Sequence, residues 1–246
     1  MARLSRFFLP GQPLHVIHRG KGGRRVFFGP DDYARYRDWL AEAAAHYRCA
    51  VHAYVLLPNQ VELLVTPRDA DSLPRTLQSL GRRYTRYVNA LRRRAGTLWE
   101  GRYRAAPIEG ATHLLACSRY IESTPMREGI ARRPHRYPWS SYHAHALGVA
   151  DPVLTDHRLY SALARRPNKR QKAYRRLFDE PLDDGFVDAL RAATNGGWAF
   201  GSERFKQRIA EAAGRRVTPL PRGRPRKVRK GKSRAAKSHT ARSHVR

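Results

Sequence analysis

Two cysteines, Cys49 and Cys117, are all that the 246 residues contain. They stand far apart and in no metal-ligand spacing, which excludes a thiolate zinc site and predicts two buried, reduced thiols. His143 with His145, and His239 with His244, lack the flanking ligands of a zinc finger and are expected at the surface. No apolar run approaches the ~18 residues that cross a bilayer. The first nine residues carry two Arg but neither the apolar stretch nor the cleavage site of a secretory signal. Acids are scarce: 20 Asp plus Glu face 49 Lys plus Arg, leaving +29 at pH 7. A compact chain so charged repels itself, so a polyanionic partner is expected. The composition therefore predicts a soluble, intracellular protein that faces nucleic acid.

What is present can build a core, with 41% hydrophobic and 10% aromatic residues. Three regions separate by composition. Residues 1–148 alternate strand-like and helix-like patterns, residues 149–214 read as helical, and residues 215–246 hold no acid and almost no large apolar side chain. Such a tail cannot offset its ordering entropy by burial and is expected to be disordered until bound. Within it, Pro221-Arg222-Gly223-Arg224-Pro225-Arg226-Lys227 resembles an AT-hook. An extended Gly-Arg-Pro backbone suits a narrow A·T minor groove, whose potential attracts Arg222, Arg224, Arg226 and Lys227.

In the first region residues 14–18 read as a strand and residues 31–47 as a helix, with Asp31 as the N-cap. Residues 50–57 form a buried strand, Pro58-Asn59 a turn, and residues 60–66 an alternating strand. There Val61, Leu63 and Val65 point one way, and Gln60, Glu62 and Leu64 the other. A helix is predicted over 71–93, a strand over 98–108 and a helix over 111–123 that Pro125 closes. This order matches a split βαβ, ferredoxin-like antiparallel sheet of the α+β class, with helices on one face and the other face open. Helices over 183–193 and 202–213 are candidates for a helix-turn-helix. In the helix over 71–93, Arg82, Arg83 and Arg86 outnumber any acid and are candidate phosphate contacts.

Six stretches, taken in order, resemble the single-tyrosine transposases of the HUH superfamily, specifically the REP-associated, IS200-like group. They are His15-Val16-Ile17-His18-Arg19-Gly20, His52-Ala53-Tyr54-Val55-Leu56-Leu57-Pro58-Asn59, the segment from Gly81 to Asn89, the segment from Leu98 to Arg104, Ser118-Arg119-Tyr120-Ile121, and Tyr137-Pro138-Trp139-Ser140-Ser141-Tyr142. The resemblance implies a nucleophilic tyrosine, here Tyr120, that attacks a DNA phosphate and leaves a 5′-phosphotyrosine and a free 3′-hydroxyl. It also implies a divalent cation, Mg²⁺ or Mn²⁺, bound by two His on one face of a strand and by a polar residue four positions after the tyrosine.

This chain carries Gln60 and Glu62 at the two His positions and Thr124 at the third. Glu62 is the one charged oxygen ligand of that set. A lost Lewis acid worth ~4 kcal/mol slows cleavage by about a thousandfold. DNA affinity, which rests on Lys and Arg, survives. The expectation is a transposase-like protein that binds single-stranded or hairpin DNA, as monomer or homodimer, with weakened strand cleavage. Its rivals are an active metal-dependent transposase in which Glu100 or Glu109 completes the site, a non-catalytic regulator of transposase descent and, last, an RNA-binding module. The expected location is the cytoplasm, at the nucleoid.

Overall fold

The computed structural model describes Phe7 and residues 9–220. The tail motif, with Arg222, Arg224, Arg226 and Lys227, and the pair His239 and His244 lie outside the described residues. The sheet has four strands: β1 (Leu14–Arg19), β2 (Cys49–Leu57), β3 (Gln60–Pro67) and β4 (Arg104–Pro107). Their order is β2-β3-β1-β4 and every pairing is antiparallel. β1 lies at the centre, with Ile17 opposite Glu62 on β3 and Leu14 opposite Pro107 on β4. This is the expected ferredoxin-like sheet.

Helices α1 (Pro30–His46) and α2 (Ser72–Leu91) cover one face. α1 starts one residue earlier than expected, because Gly29 and not Asp31 is its cap. The Asp32 carboxylate accepts the backbone N–H groups of Phe28 (2.8 Å) and Gly29 (3.1 Å). Pro30 at the first helical position loses no hydrogen bond there. Leu73, Leu77, Leu80, Tyr84 and Val88 recur at helical spacing along α2 and are buried against Val16, Val61, Leu63 and Val65 of the sheet. Each such side chain contributes about 1.5–3 kcal/mol by leaving water.

The opposite face is not open. α3 (Gly110–Arg127) and α7 (Asp184–Gly196) lie on it, burying Leu114, Cys117, Tyr120, Ile121, Val187 and Leu190 against Ala53, Val55, Leu64 and Ala106. The alternation read in β3 holds: Val61, Leu63 and Val65 serve the α2 face, while Glu62 and Leu64 face α3. Between α3 and α7 come the short α4 (Tyr142–Leu147) and α5 (Arg158–Ser161), then α6 (Pro167–Arg176); α8 (Glu203–Ala213) follows α7. α7 and α8 do not present a free helix-turn-helix, because Leu190 belongs to one sheet face and Phe205 and Ile209 of α8 pack into the core of the other.

Three further boundaries moved. α3 runs through Pro125 to Arg127 rather than closing before it. The expected strand over 98–108 is broken: Trp99 makes an isolated antiparallel bridge with Gly20, a loop in which Gly101 takes φ 122° follows, and β4 proper starts at Arg104. Packed chain also continues past Gly214: Ala199 N–H donates to Val217 O at 2.9 Å and Val217 is buried. Cys49 and Cys117 are both free and buried. His145, expected at the surface, is buried and bonded to Glu122.

Candidate functional site

Alternation along β3 sends Gln60 and Glu62 to the α3 face, and the helical repeat places Tyr120 and Thr124 one turn apart beneath it. The four residues meet. Gln60 Nε2 donates to Glu62 Oε1 at 2.9 Å. Thr124 Oγ1 lies 3.2 Å from Glu62 Oε2 and 3.0 Å from the Tyr120 carbonyl, its one proton serving either acceptor. Glu62, Tyr120 and Thr124 are each buried.

Three more residues complete the cluster. On β1, His15 shares the face of Glu62; its Nε2 stands 3.8 Å from Glu62 Oε2 and its ring meets the Tyr120 ring edge-on at 5.4 Å. Thr194 of α7 gives its hydroxyl proton to Leu190 O (3.0 Å), so His15 Nδ1 donates to Thr194 Oγ1 at 2.8 Å. His15 Nε2 is left buried with no hydrogen-bond partner. Arg127, at the end of α3, lays its guanidinium over the Tyr120 ring at 4.0 Å and donates from Nη2 to Thr124 Oγ1 at 2.6 Å. Arg191, exposed on α7, reaches the Tyr120 hydroxyl from the solvent side.

Burial, and secondarily the Glu62 carboxylate, push the Tyr120 hydroxyl above the usual phenol range, against the opposing pull of Arg127 and Arg191. The side chain is therefore a protonated phenol at neutral pH. Burial likewise draws the Arg127 guanidinium down, with Tyr120 and Glu62 acting in the other direction.

A divalent cation does not fit the residues present. Gln60 Oε1 already accepts from Arg19 Nε at 3.1 Å, and its amide nitrogen is turned to Glu62. The Thr124 oxygen accepts from Arg127. Glu62 alone offers anionic oxygen, and hard cations such as Mg²⁺ and Mn²⁺ take several oxygen ligands. Two guanidinia abut the positions where such ligands would turn inward. Among the described residues no group of three or more His, Cys, Asp or Glu could hold a metal. Neither rival carboxylate repairs this. Glu109 accepts the Ser202 backbone N–H (2.7 Å) and hydroxyl (3.0 Å) ahead of α8, which holds its carboxyl below the ordinary range, and Glu100 is exposed in the loop before β4.

The basic residues of α2 divide. Arg82 and Arg86, one turn apart, line a cleft of about 790 Å³ with His18, Thr85, Trp99 and Arg102. The His18 and Trp99 rings stack there at 4.1 Å. Arg83 turns to α1, pairing with Glu42 at 2.5 Å and lying over Trp39 at 4.2 Å. The sequence grouped Arg83 with its neighbours, but a residue 100° around a helix faces elsewhere.

Residues 11–124 match the family model described as transposase, IS200-like. The match covers a little under half of the chain. The fold is similar to a solved structure of a REP-associated tyrosine transposase bound to a REP hairpin, at 15% identity and a TM-score of 0.53, over 64% of this chain and 93% of that one. A putative transposase from Deinococcus radiodurans aligns at 19% identity and a TM-score of 0.36, over 52% of this chain and 98% of that one. No curated protein matches. Within the transposase segment the sequence pointed to Gln60, Glu62, Tyr120 and Thr124 but passed over His15, whose place on the Glu62 face follows from strand alternation. Arg127 was hidden by ending α3 at Pro125. Arg191 comes from a helix far along the chain and carried no signal.

Proposed function

We propose that this transposase-like chain is a DNA-binding protein that takes single-stranded or hairpin DNA, with Tyr120 in the position of the ancestral nucleophile and strand cleavage weakened to the point of loss. The observation that carries this reading is the state of the polar cluster. Tyr120 is a buried phenol, and the ligand positions around it are bonded to one another and to arginines rather than turned together toward a cation. The cleft bearing Arg82, Arg86 and Arg102 adds positive charge suited to an unpaired strand. The tail motif at Arg222, Arg224, Arg226 and Lys227 supplies further phosphate and A·T minor-groove contacts. A soluble location at the nucleoid accords with that partner, as monomer or homodimer.

Labelled hairpin DNA with a single-stranded flank tests the reading, incubated with the full chain and Mg²⁺ or Mn²⁺ and run on a denaturing gel. Tight binding without a covalent adduct is expected. An adduct that Tyr120→Phe abolishes would replace the reading with an active transposase. Titration across salt should give a steep log–log slope that flattens when residues 221–246 are deleted. An unchanged slope would remove the tail from the interface.

A further inference from the structure

The misfit between the Tyr120 cluster and a metal leaves a question of charge. A site that handles a phosphodiester needs a cation, and the divalent one has no ligands to hold it. Arg127 stands in that space. Of its donors, Nη2 serves Thr124 and the guanidinium also reaches the Tyr120 hydroxyl, while Nε and Nη1 are buried without a hydrogen bond of ordinary geometry. Buried donors are almost always paired, and an unpaired one costs the full desolvation of the group. Among the described residues Arg127 has no carboxylate within 4 Å, so its charge is uncompensated at contact range as well. Arg191 reaches the Tyr120 hydroxyl from the exposed side, with Asp188 the nearest carboxylate at 3.8 Å.

We infer that Arg127, with Arg191 on the solvent side, is a phosphate clamp that replaces the metal, so that this site holds one phosphodiester of a DNA strand with no divalent cation. The inference rests on the reading of the chain as a binder of single-stranded or hairpin DNA. A planar guanidinium fork matches two non-bridging phosphate oxygens, and charge-assisted bonds of this kind are about twice as strong as neutral ones. Arg127 is fixed for that task by the Tyr120 ring beneath it and by Thr124 beside it, so little freedom is lost on binding. The clamp supplies charge and donors but no general base. It therefore holds the phosphate against a phenol that stays protonated.

The test uses the full chain and a fluorescent hairpin with a single-stranded flank, read by anisotropy in excess EDTA and in Mg²⁺ or Mn²⁺. Wild-type affinity should be the same in both. A neutral methylphosphonate, moved one position at a time along the flank, should find one phosphate whose charge matters about 10–100-fold to the wild type. That position should matter little to Arg127→Ala and intermediately to Arg127→Lys, which keeps the charge but loses the fork. Arg191→Ala, at an exposed site that leaves the core intact, should lose part of the same dependence and decides the matter if Arg127→Ala does not fold. Tenfold weaker wild-type binding in EDTA would overturn the clamp. So would methylphosphonate and arginine losses that simply multiply, since the two would then report different places. A chain that binds no hairpin at all would bring down the functional reading and the clamp together, whereas hairpin binding indifferent to both arginines would bring down the clamp alone.

Discussion

Two carboxylates are buried at α3, and they are held very differently. Glu122, fully buried, receives the Ser141 hydroxyl at 2.5 Å, His145 Nδ1 at 2.8 Å and the Tyr174 hydroxyl at 2.8 Å. Glu62, on the strand beneath the same helix and 2% exposed, has an amide at 2.9 Å and a shared hydroxyl at 3.2 Å, while its histidine stays 3.8 Å away. The donors around Glu122 come from residue 141, α4 and α6, so its network fastens the later helices to the transposase segment. Around Glu62 donors are few, and the cations nearby are not paired with it. A saturated buried carboxylate belongs to the framework, whereas an undersupplied one beside arginines that make no ion pair with it belongs to a place where something binds.

The largest effect should come from breaking the saturated side. Glu122→Ala strands the buried donors of His145 and Tyr174, leaves the Ser141 hydroxyl only the Tyr54 carbonyl at 3.3 Å, and is expected to cost about 3–5 kcal/mol in urea unfolding. A loss below about 1 kcal/mol would mean that the network is solvated in solution and that the contrast with Glu62 is false. Removing one donor should cost less. Burial, and then Glu122 itself, raise the Tyr174 hydroxyl well above the usual phenol range, so it donates throughout neutral pH. Tyr174→Phe, which keeps the ring, is expected to cost about 1–2 kcal/mol by the same measurement. A cost equal to that of Glu122→Ala would show the three bonds to be one cooperative unit.

The two regions were not equally legible in the sequence. The period-2 pattern of residues 60–66 placed Glu62 on the correct face, and one helical turn brought Thr124 beneath Tyr120, so the site could be drawn from spacing and resemblance. The Glu122 network could not. Its partners lie 19 to 52 residues away in sequence, and nothing local distinguishes a buried His145 from its exposed-looking neighbour. The open sheet face was misread for a similar reason, since α7 reaches it only through tertiary packing. Pro125 misled in a more instructive way. A proline removes one N–H and disfavours the helical state before it, yet a helix already packed on a sheet absorbs that cost and gains another half-turn. That half-turn carries Arg127.

The smallest change in stability should accompany the most informative change in binding. Glu62→Gln keeps the shape and most of the hydrogen bonding of a side chain that is poorly supplied with donors, so the cost in unfolding should stay under about 1 kcal/mol. It also removes the one negative charge beside the arginines and Tyr120, so hairpin DNA should bind more tightly, in EDTA as in Mn²⁺. A metal-holding site behaves in the opposite sense, because its single anionic ligand would be gone and Mn²⁺-dependent binding would fall. Tighter binding with little loss of stability thus separates Glu62 from Glu122 and an arginine site from a metal site in one variant. Weaker binding restricted to Mn²⁺ would return the cation to Glu62 and leave Arg127 as packing on Tyr120.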